Sequence, residues 1–248
     1  MSNALVTGGS RGIGRAIAQQ LAARGVRVAL HYRENRAAAE AALASLAGTG
    51  HALFAADLAE PGAPARLWHE AASALGRIDF LVNNAGIYEL HPPLATDPAA
   101  WESAWQRTLA ANLHAPAVLC HLAARAMAAG GGGRIVNISS RGAFRGEPEA
   151  PAYGASKAGL NSLSQSLAKA LAPHAVFVFC LAPGWVDTDM AADHLAGPHA
   201  AEILAQHPLG RVATADEVAR AAVFCALDAP PAMTGAILDL NGASYLRT

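Results

Sequence analysis

The sequence predicts an α/β fold in which a doubly wound parallel sheet of seven strands is flanked by helices. Short apolar stretches alternate with longer helical stretches along the chain, and this alternation is typical of a parallel sheet that is covered on both faces. The length of 248 residues suits one such unit, so a single domain is expected over residues 1–248. Strands are expected at 3–7, 26–31, 51–56, 78–82, 134–138, 176–181 and 236–240.

The composition favours a large buried core and gives no sign of a nucleic-acid or membrane partner. Hydrophobic residues make up 53% of the chain and charged residues 15%, and the formal net charge is −1 without any basic block. No unbroken apolar run reaches the roughly 20 residues that a membrane span needs. The first strand follows Met1 almost directly and the three cysteines are widely separated. We therefore expect no signal peptide and a cytoplasmic protein with reduced cysteines.

The first strand leads into a glycine-rich turn and then into a helix. Residues 7–14 read TGGSRGIG, and the helical pattern continues over 15–22. This order brings free backbone N–H groups and a helix N-terminus to one point, which is how a pyrophosphate is commonly held. Glycines 8, 12 and 14 suit a tight turn and a close approach of the ligand. The alternative is that these glycines serve only the local backbone.

Later elements carry their own signals. Glycines 130–133 are expected to join a helix to the fifth strand, and Thr214 with Glu217 is expected to begin the last helix as a capping box. Tyr153 and Lys157 are four residues apart in a helical pattern, so both side chains share one face. An ammonium beside a phenol favours the phenolate, which makes the pair a candidate acid and base. The alternative is a surface lysine that lies along a ring.

The motifs together resemble those of the short-chain dehydrogenase/reductase family of the classical type, and the resemblance covers nearly the whole chain. They follow the family order, and they are the turn 7–14, the stretch 83–86 (NNAG), Asn112, Ser140, the pair Tyr153 and Lys157, and Pro183 with Gly184. The resemblance implies a Rossmann fold and hydride transfer between a nicotinamide and a carbonyl or alcohol carbon. A small-molecule substrate of that kind is the expected partner.

The resemblance also implies catalytic roles. Tyr153 would exchange the proton with the substrate oxygen, and Ser140 would hydrogen-bond the same oxygen. Lys157 would lower the Tyr153 pKa and bind the nicotinamide ribose, and Asn112 would help to hold a chain of water molecules. Two alternatives stay open: Ser139 takes the role given to Ser140, or Asn112 serves only to kink its helix.

The expected cofactor is NADP(H). Family members that use NAD carry an acidic residue at the end of the second strand, where this chain has Tyr32 followed by Arg33, and Arg11 lies inside the glycine-rich turn. A guanidinium suits a 2′-phosphate, although either arginine can instead be a solvated surface residue. The resemblance assigns cofactor contacts to Gly8, Ser10, Arg11, Gly12, Ile13, Gly14, Arg33, Asp57, Leu58, Asn84, Ala85, Gly86, Tyr153, Lys157, Pro183, Gly184, Val186 and Thr188.

Residues 185–209 would form a lid over the substrate. This lid segment carries apolar residues beside His194, His199 and His207, whose spacing does not fit a usual metal site, so no metal is expected. An apolar lining favours a nonpolar or mixed carbonyl compound. Four residues of a preceding segment either line the same pocket or pack elsewhere, namely Tyr88, Leu90, His91 and Trp101.

Three further expectations concern partners and function class. The chain resembles the β-ketoacyl-[acyl-carrier-protein] reductases, so a reductase of carrier-protein or coenzyme A thioesters is the first alternative. An acidic carrier protein calls for a basic docking patch, but segments 127–134 and 170–174 are almost uncharged. A sensor that binds NADP(H) without turnover is the second alternative, which a complete catalytic group disfavours. The resemblance implies a homotetramer, or else a homodimer.

Overall fold

The computed structural model describes residues 2–247, and its centre is a parallel sheet of seven strands. The strands are β1 (Asn3–Val6), β2 (Arg27–Tyr32), β3 (Ala52–Ala55), β4 (Phe80–Asn83), β5 (Gly133–Ile138), β6 (Val176–Pro183), β7 (Val186–Asp187), β8 (Ala213–Thr214) and β9 (Ile237–Leu240). The order in the seven-stranded sheet is β3-β2-β1-β4-β5-β6-β9, and every neighbouring pair is parallel. The seven predicted strands are thereby confirmed, with small shifts at their ends.

The connections between the strands are helical. The helices are α1 (Gly12–Ala23), α2 (Arg36–Ala44), α3 (Ala63–Leu75), α4 (Pro98–Leu109), α5 (Ala115–Ala129), α6 (Gly142–Arg145), α7 (Pro151–Leu171), α8 (Asp189–Ala196), α9 (Ala200–Ala205) and α10 (Ala215–Val223). A π-helical turn, Ala110–His114, joins α4 to α5 without a break. The predicted capping box of α10 is confirmed, because Thr214 and Glu217 exchange hydrogen bonds between side chain and backbone.

Two apolar clusters lie on opposite faces of the sheet. Successive residues of a strand point to opposite faces, so Val6 belongs to the cluster under α1, α2 and α10, while Leu5 belongs to the cluster under α3, α5 and α7. Burial on both faces explains why the strands are apolar throughout rather than alternating. Within residues 2–247, no helix combines the length and the apolar character that crossing a membrane requires.

The sheet topology fixes where a ligand can bind. From β1 the chain proceeds to β2 and β3 on one side and then returns to β4 on the other side. At such a reversal the loops after neighbouring strands diverge and leave a crevice at the carboxyl ends of the strands. The glycine-rich turn follows β1, residues 84–86 follow β4, and Ser140 follows β5. The predicted motifs therefore gather along this crevice.

Candidate active site

The glycine-rich turn after β1 is hydrogen-bonded to the segment after β4. The Thr7 hydroxyl accepts bonds from the backbone N–H groups of Asn84 and Ala85, each at 3.0 Å. The Asn84 side chain donates to the carbonyl oxygens of Thr7 at 2.9 Å and Gly8 at 3.1 Å. Residues 83–86 thus hold the turn in shape from the neighbouring strand.

The backbone of this turn suits a phosphate group. Gly8 has a φ of +65° and Gly12 a φ of +52°, in the left-handed region that favours glycine. A Cβ on Gly14 would overlap Gly8 O and Asn84 Nδ2. Helix α1 has no side-chain cap from Arg11 and no acidic residue in its first turn. Its N-terminal N–H groups and dipole are therefore available to an anion, and the fit to a dinucleotide pyrophosphate is good.

Sequence reasoning missed His31, which supports the turn from β2. The buried His31 ring accepts a bond at Nδ1 from Gly8 N at 3.1 Å, and Nε2 lies 3.0 Å from Ala56 O. Because Nδ1 accepts a hydrogen bond, Nε2 is the donor of the neutral ring. Burial lowers the His31 pKa. A polar residue near the carboxyl end of an otherwise apolar strand was the signal that could have revealed it.

Tyr153, Ser140 and Lys157 converge where β5 ends against α7. The Ser140 hydroxyl lies close enough to Tyr153 to lower its pKa, while the Ser139 hydroxyl is buried and donates to the backbone oxygen of Lys157 at 3.2 Å. Lys157 Nζ donates to Ile138 O at 2.8 Å and lies 5.6 Å from the centroid of the Tyr153 ring. Of the two adjacent serines, only Ser140 faces the phenol.

The protonation of this group differs from the expectation. Burial raises the Tyr153 pKa to about 12, and the Ser140 hydroxyl opposes that rise. Burial lowers the Lys157 pKa to about 8. The Tyr153 pKa therefore lies above its ordinary value in this structure rather than below it as expected, because burial is the largest influence on it and Lys157 Nζ is bonded to the Ile138 carbonyl oxygen.

Asn112 sits in the π-helical turn, and its side chain is fully engaged. Its Oδ1 accepts from Ile87 N at 2.8 Å, and its Nδ2 donates to Ile87 O at 2.9 Å and to Ser156 Oγ at 3.2 Å. A Cβ on Gly86 would lie 3.3 Å from Asn112 Oδ1 and 3.5 Å from Lys157 Nζ. Asn112 is thus both a residue of an irregular helical turn and an anchor for the segment beside Lys157.

The two arginines of the cofactor prediction are exposed. The Arg11 side chain is 65% exposed and lies 3.7 Å from Asp189, while the Arg33 side chain is 52% exposed and lies 2.8 Å from Glu34. Exposed ion pairs of this kind contribute little stability, so both guanidinium groups can exchange partners. Tyr32, which stands in place of the acidic residue, is buried.

The remaining cofactor candidates lie around the same crevice. A Cβ on Gly12 would lie 3.2 Å from the Thr188 methyl group, so Thr188 borders the turn. The Asp57 carboxylate accepts from Ala59 N at 2.9 Å, which orders the backbone after β3. The others occupy positions in the turn or at strand ends: Ser10 and Ile13 in and after the turn, buried Leu58 after β3, Pro183 and Gly184 at the end of β6, and buried Val186 in β7.

Only one of the four segment residues proposed for the substrate pocket contacts the catalytic group. The Tyr88 ring meets the Tyr153 ring edge-on, with centroids 5.0 Å apart. His91 is buried, accepts at Nε2 from Ala152 N at 3.0 Å and packs on Trp101, so it caps the start of α7. Leu90 is exposed. Among residues 2–247, no group of three or more histidine, cysteine or acidic side chains is arranged to hold a metal ion.

Comparison with known proteins gives consistent results over the whole chain. A family model described as enoyl-(acyl carrier protein) reductase matches residues 8–242. The 3-oxoacyl-[acyl-carrier-protein] reductase FabG of Escherichia coli is 36% identical over 243 residues, which are 98% of this chain and 97% of that protein. The D-threitol dehydrogenase of Mycolicibacterium smegmatis is 37% identical over 246 residues, covering 98% of this chain and 93% of that one. A crystal structure of a short-chain dehydrogenase from Burkholderia cenocepacia J2315 in complex with NADP superposes with a TM-score of 0.87 at 35% identity, covering 98% and 97% of the two chains.

Proposed function

This chain belongs to the short-chain dehydrogenase/reductase family, and from that premise we propose that it is an NADP(H)-dependent oxidoreductase that acts on a carbonyl or secondary alcohol. The observation that carries the proposal is the contact of Ser140 with Tyr153 beside the buried Lys157. A phenol, a hydroxyl and an ammonium at one point are the groups that a carbonyl oxygen needs when it gains charge and then a proton.

The roles follow from the protonation states. The bound nicotinamide supplies the hydride chemistry. With its pKa at about 12, Tyr153 is protonated at neutral pH and can donate to the substrate oxygen, while Ser140 hydrogen-bonds the same oxygen. Lys157, with a pKa of about 8, is largely an ammonium at neutral pH and stabilises the phenolate that Tyr153 leaves behind. Asn112 anchors segment 86–87 beside these groups.

The preference for NADP(H) is supported at the end of β2. The buried Tyr32 stands in place of the acidic residue that would repel a 2′-phosphate, and Arg33 and Arg11 carry exposed guanidinium groups. Solved structures of similar chains from Burkholderia cenocepacia and Agrobacterium tumefaciens are described with NADP bound. Arg11 and Arg33 are joined to their acidic partners only by surface ion pairs. Both guanidinium groups can therefore turn to a phosphate at little cost in free energy.

A second candidate is the reduction of carrier-protein or coenzyme A thioesters, which the likeness to FabG favours. The surface argues against a carrier protein. Arg134, the one basic residue of segment 127–134, donates to Cys225 O at 2.9 Å and stacks over Phe177 and Phe179. Its guanidinium is therefore engaged by the fold instead of by a docking partner. The sensor alternative is weakened because every catalytic residue of the family is present.

Assembly and location are part of the proposal. A groove of about 430 Å³ between the outer faces of α5 and α7 is lined mainly by alanine and leucine, including Ala117, Ala124, Leu163 and Leu167. Small residues allow helices of two subunits to approach closely, which supports a homotetramer or homodimer. The three cysteines are buried without a disulfide, as expected for a cytoplasmic protein.

The test is NADPH oxidation, with NADH in parallel, across thioesters, ketones, diketones, quinones and ketosugars. Tyr153→Phe should lower kcat by more than about 100-fold and leave NADPH binding intact, because it removes only the proton donor. Tyr245→Phe is the matched control, since that ring lies in the C-terminal tail. Turnover that survives Tyr153→Phe would refute the mechanism, and turnover concentrated on thioesters would favour the second candidate.

A further inference from the structure

Three aromatic side chains extend outward from the catalytic tyrosine. Tyr88 contacts Tyr153, and the His194 ring meets Tyr88 edge-on with centroids 5.9 Å apart. Trp185 then packs on His194 at 5.3 Å. Tyr88 precedes α4, whereas Trp185 and His194 belong to the lid segment. These three residues, here the aromatic wall, adjoin the position where a carbonyl oxygen would meet the Tyr153 hydroxyl.

The wall contains one buried polar atom without a partner. His194 Nδ1 is buried and has no hydrogen-bond partner among residues 2–247. A buried polar atom left unpaired costs free energy, so such atoms usually have a partner in the functional state. The neighbouring His199 differs, because it lies at the surface and its Nδ1 is 3.1 Å from Glu202.

The chemistry of the wall narrows the substrate class. An aromatic ring of a substrate can replace the edge contacts between Tyr88, His194 and Trp185, because rings attract one another through their quadrupoles. A flexible acyl chain gains no such contact and loses rotational freedom. A polyol would set several hydroxyl groups against ring faces, where they would lose hydrogen bonds to water.

We propose that the substrate is a carbonyl compound whose reacting carbon carries an aromatic ring, and that a hydroxyl on this ring hydrogen-bonds to His194 Nδ1. The inference rests on the proposed function. In reduction, the carbonyl carbon would accept a hydride from NADPH and the oxygen a proton from Tyr153, which would give NADP⁺ and an alcohol whose hydroxyl-bearing carbon carries the ring. Tyr88 and His194 then select the substrate without taking part in the proton transfer.

The experiment measures kcat/KM with NADPH for acetophenone, its three hydroxy isomers, cyclohexyl methyl ketone and a straight-chain methyl ketone. Acetophenone should exceed its saturated analogue by about three- to tenfold. One hydroxy isomer should gain a further factor of about three to ten from the hydrogen bond. Tyr88→Leu should remove the preference for the aromatic ring.

His194→Phe retains a ring and removes the nitrogen, so it should abolish only the gain from the hydroxyl. His199→Phe is the matched control in the same segment and should change neither ratio. Equal rates for the aromatic and saturated ketones would overturn the inference and leave the proposed function standing. A hydroxyl preference that survives His194→Phe would overturn the role of His194. No NADPH oxidation with any ketone would refute the proposed function and the inference with it.

Discussion

The catalytic group and the lid segment are held by very different means. Asn112 and Lys157 are buried, and each is hydrogen-bonded to backbone atoms of another element. In and beside the lid segment, Met190, Leu204 and Leu209 expose 53%, 42% and 64% of their surface. The proposed catalytic residues therefore lie in the well-packed body of the protein, while the proposed substrate contacts lie in a segment with more exposed apolar side chains.

The lid segment is attached to the body by a short strand pairing at its start and by side-chain hydrogen bonds near its end. Strand β7 at its start pairs with β8 over only two residue pairs. Near its end, Gln206 Oε1 accepts from Arg141 at 3.1 Å and from Arg145 at 3.3 Å. Arg141 follows Ser140 directly, so these bonds connect the lid segment to the catalytic loop. Changes in the body should thus affect folding and chemistry, and changes in the lid segment should affect substrate binding.

The largest effect is expected from Gly14→Ala in the body. The new Cβ would overlap Gly8 O and Asn84 Nδ2. The first is a backbone atom and the second makes two hydrogen bonds, so neither can move away without a cost in free energy. We expect a loss of about 3 kcal/mol or more in the free energy of unfolding, with loss of NADPH binding. Urea unfolding and a fluorescence titration measure the two effects.

Gly154→Ala is the matched control for that substitution. Its Cβ would meet Gly142 O at 3.4 Å, an ordinary contact, and the position is inside α7. Alanine in a helix should stabilise the protein by up to about 1 kcal/mol. Equal stability of the two variants would contradict the tight packing described for the turn.

The next effect concerns Lys157 and depends on pH. Its pKa is lowered from 10.5 to about 8 in the folded protein, so between these values the unfolded chain binds more protons. Stability should therefore rise with pH in this interval, as the cost of the buried charge disappears. Lys157→Met should lack this rise, and the difference between the two proteins should reach about 2 to 3 kcal/mol by about pH 10. The free energies of unfolding of the two proteins are measured by urea unfolding from about pH 7.5 to 10. If both change with pH in the same way, burial does not destabilise the ammonium.

The sequence predicted the body far better than the lid segment. Strand positions follow from local apolar runs, and Ser140, Tyr153 and Lys157 follow from short motifs, so both could be read without a structure. The raised Tyr153 pKa could not be predicted from the sequence, because it depends on burial by distant segments of the chain. The role of His31 could not be predicted either, because its hydrogen-bond partners come from the turn and from the end of β3. Nor could the contacts of the aromatic wall, because Tyr88 and His194 are about 100 residues apart in the chain.

The smallest effect is expected from substitutions of Gln206, and these test most directly the difference between the body and the lid segment. Gln206→Ala removes the acceptor shared by Arg141 and Arg145. It should raise KM for the carbonyl substrate about fivefold, which corresponds to the loss of one hydrogen bond of about 1 kcal/mol, and it should leave kcat nearly unchanged. Glu202→Ala on the adjacent helix α9 is the control, since the Glu202 side chain is exposed and pairs with His199 at the surface. A similar rise in KM for the control would mean that any change in the lid segment has this effect.

Gln206→Glu makes the opposite change at the same position. Arg141 is buried, and its hydrogen bonds go to the neutral groups Ser244 Oγ and Gln206 Oε1. Arg145 lies 4.0 Å from Glu147, so a carboxylate at position 206 would give both arginines a closer anionic partner. The stronger bond should hold the lid segment more tightly, lower KM, and weaken again at high salt because Arg145 is exposed. If opening of the lid segment limits product release, kcat should fall together with KM. Opposite shifts of KM for alanine and glutamate would show that these bonds hold the lid segment, whereas equal shifts would show that Gln206 acts only through its shape.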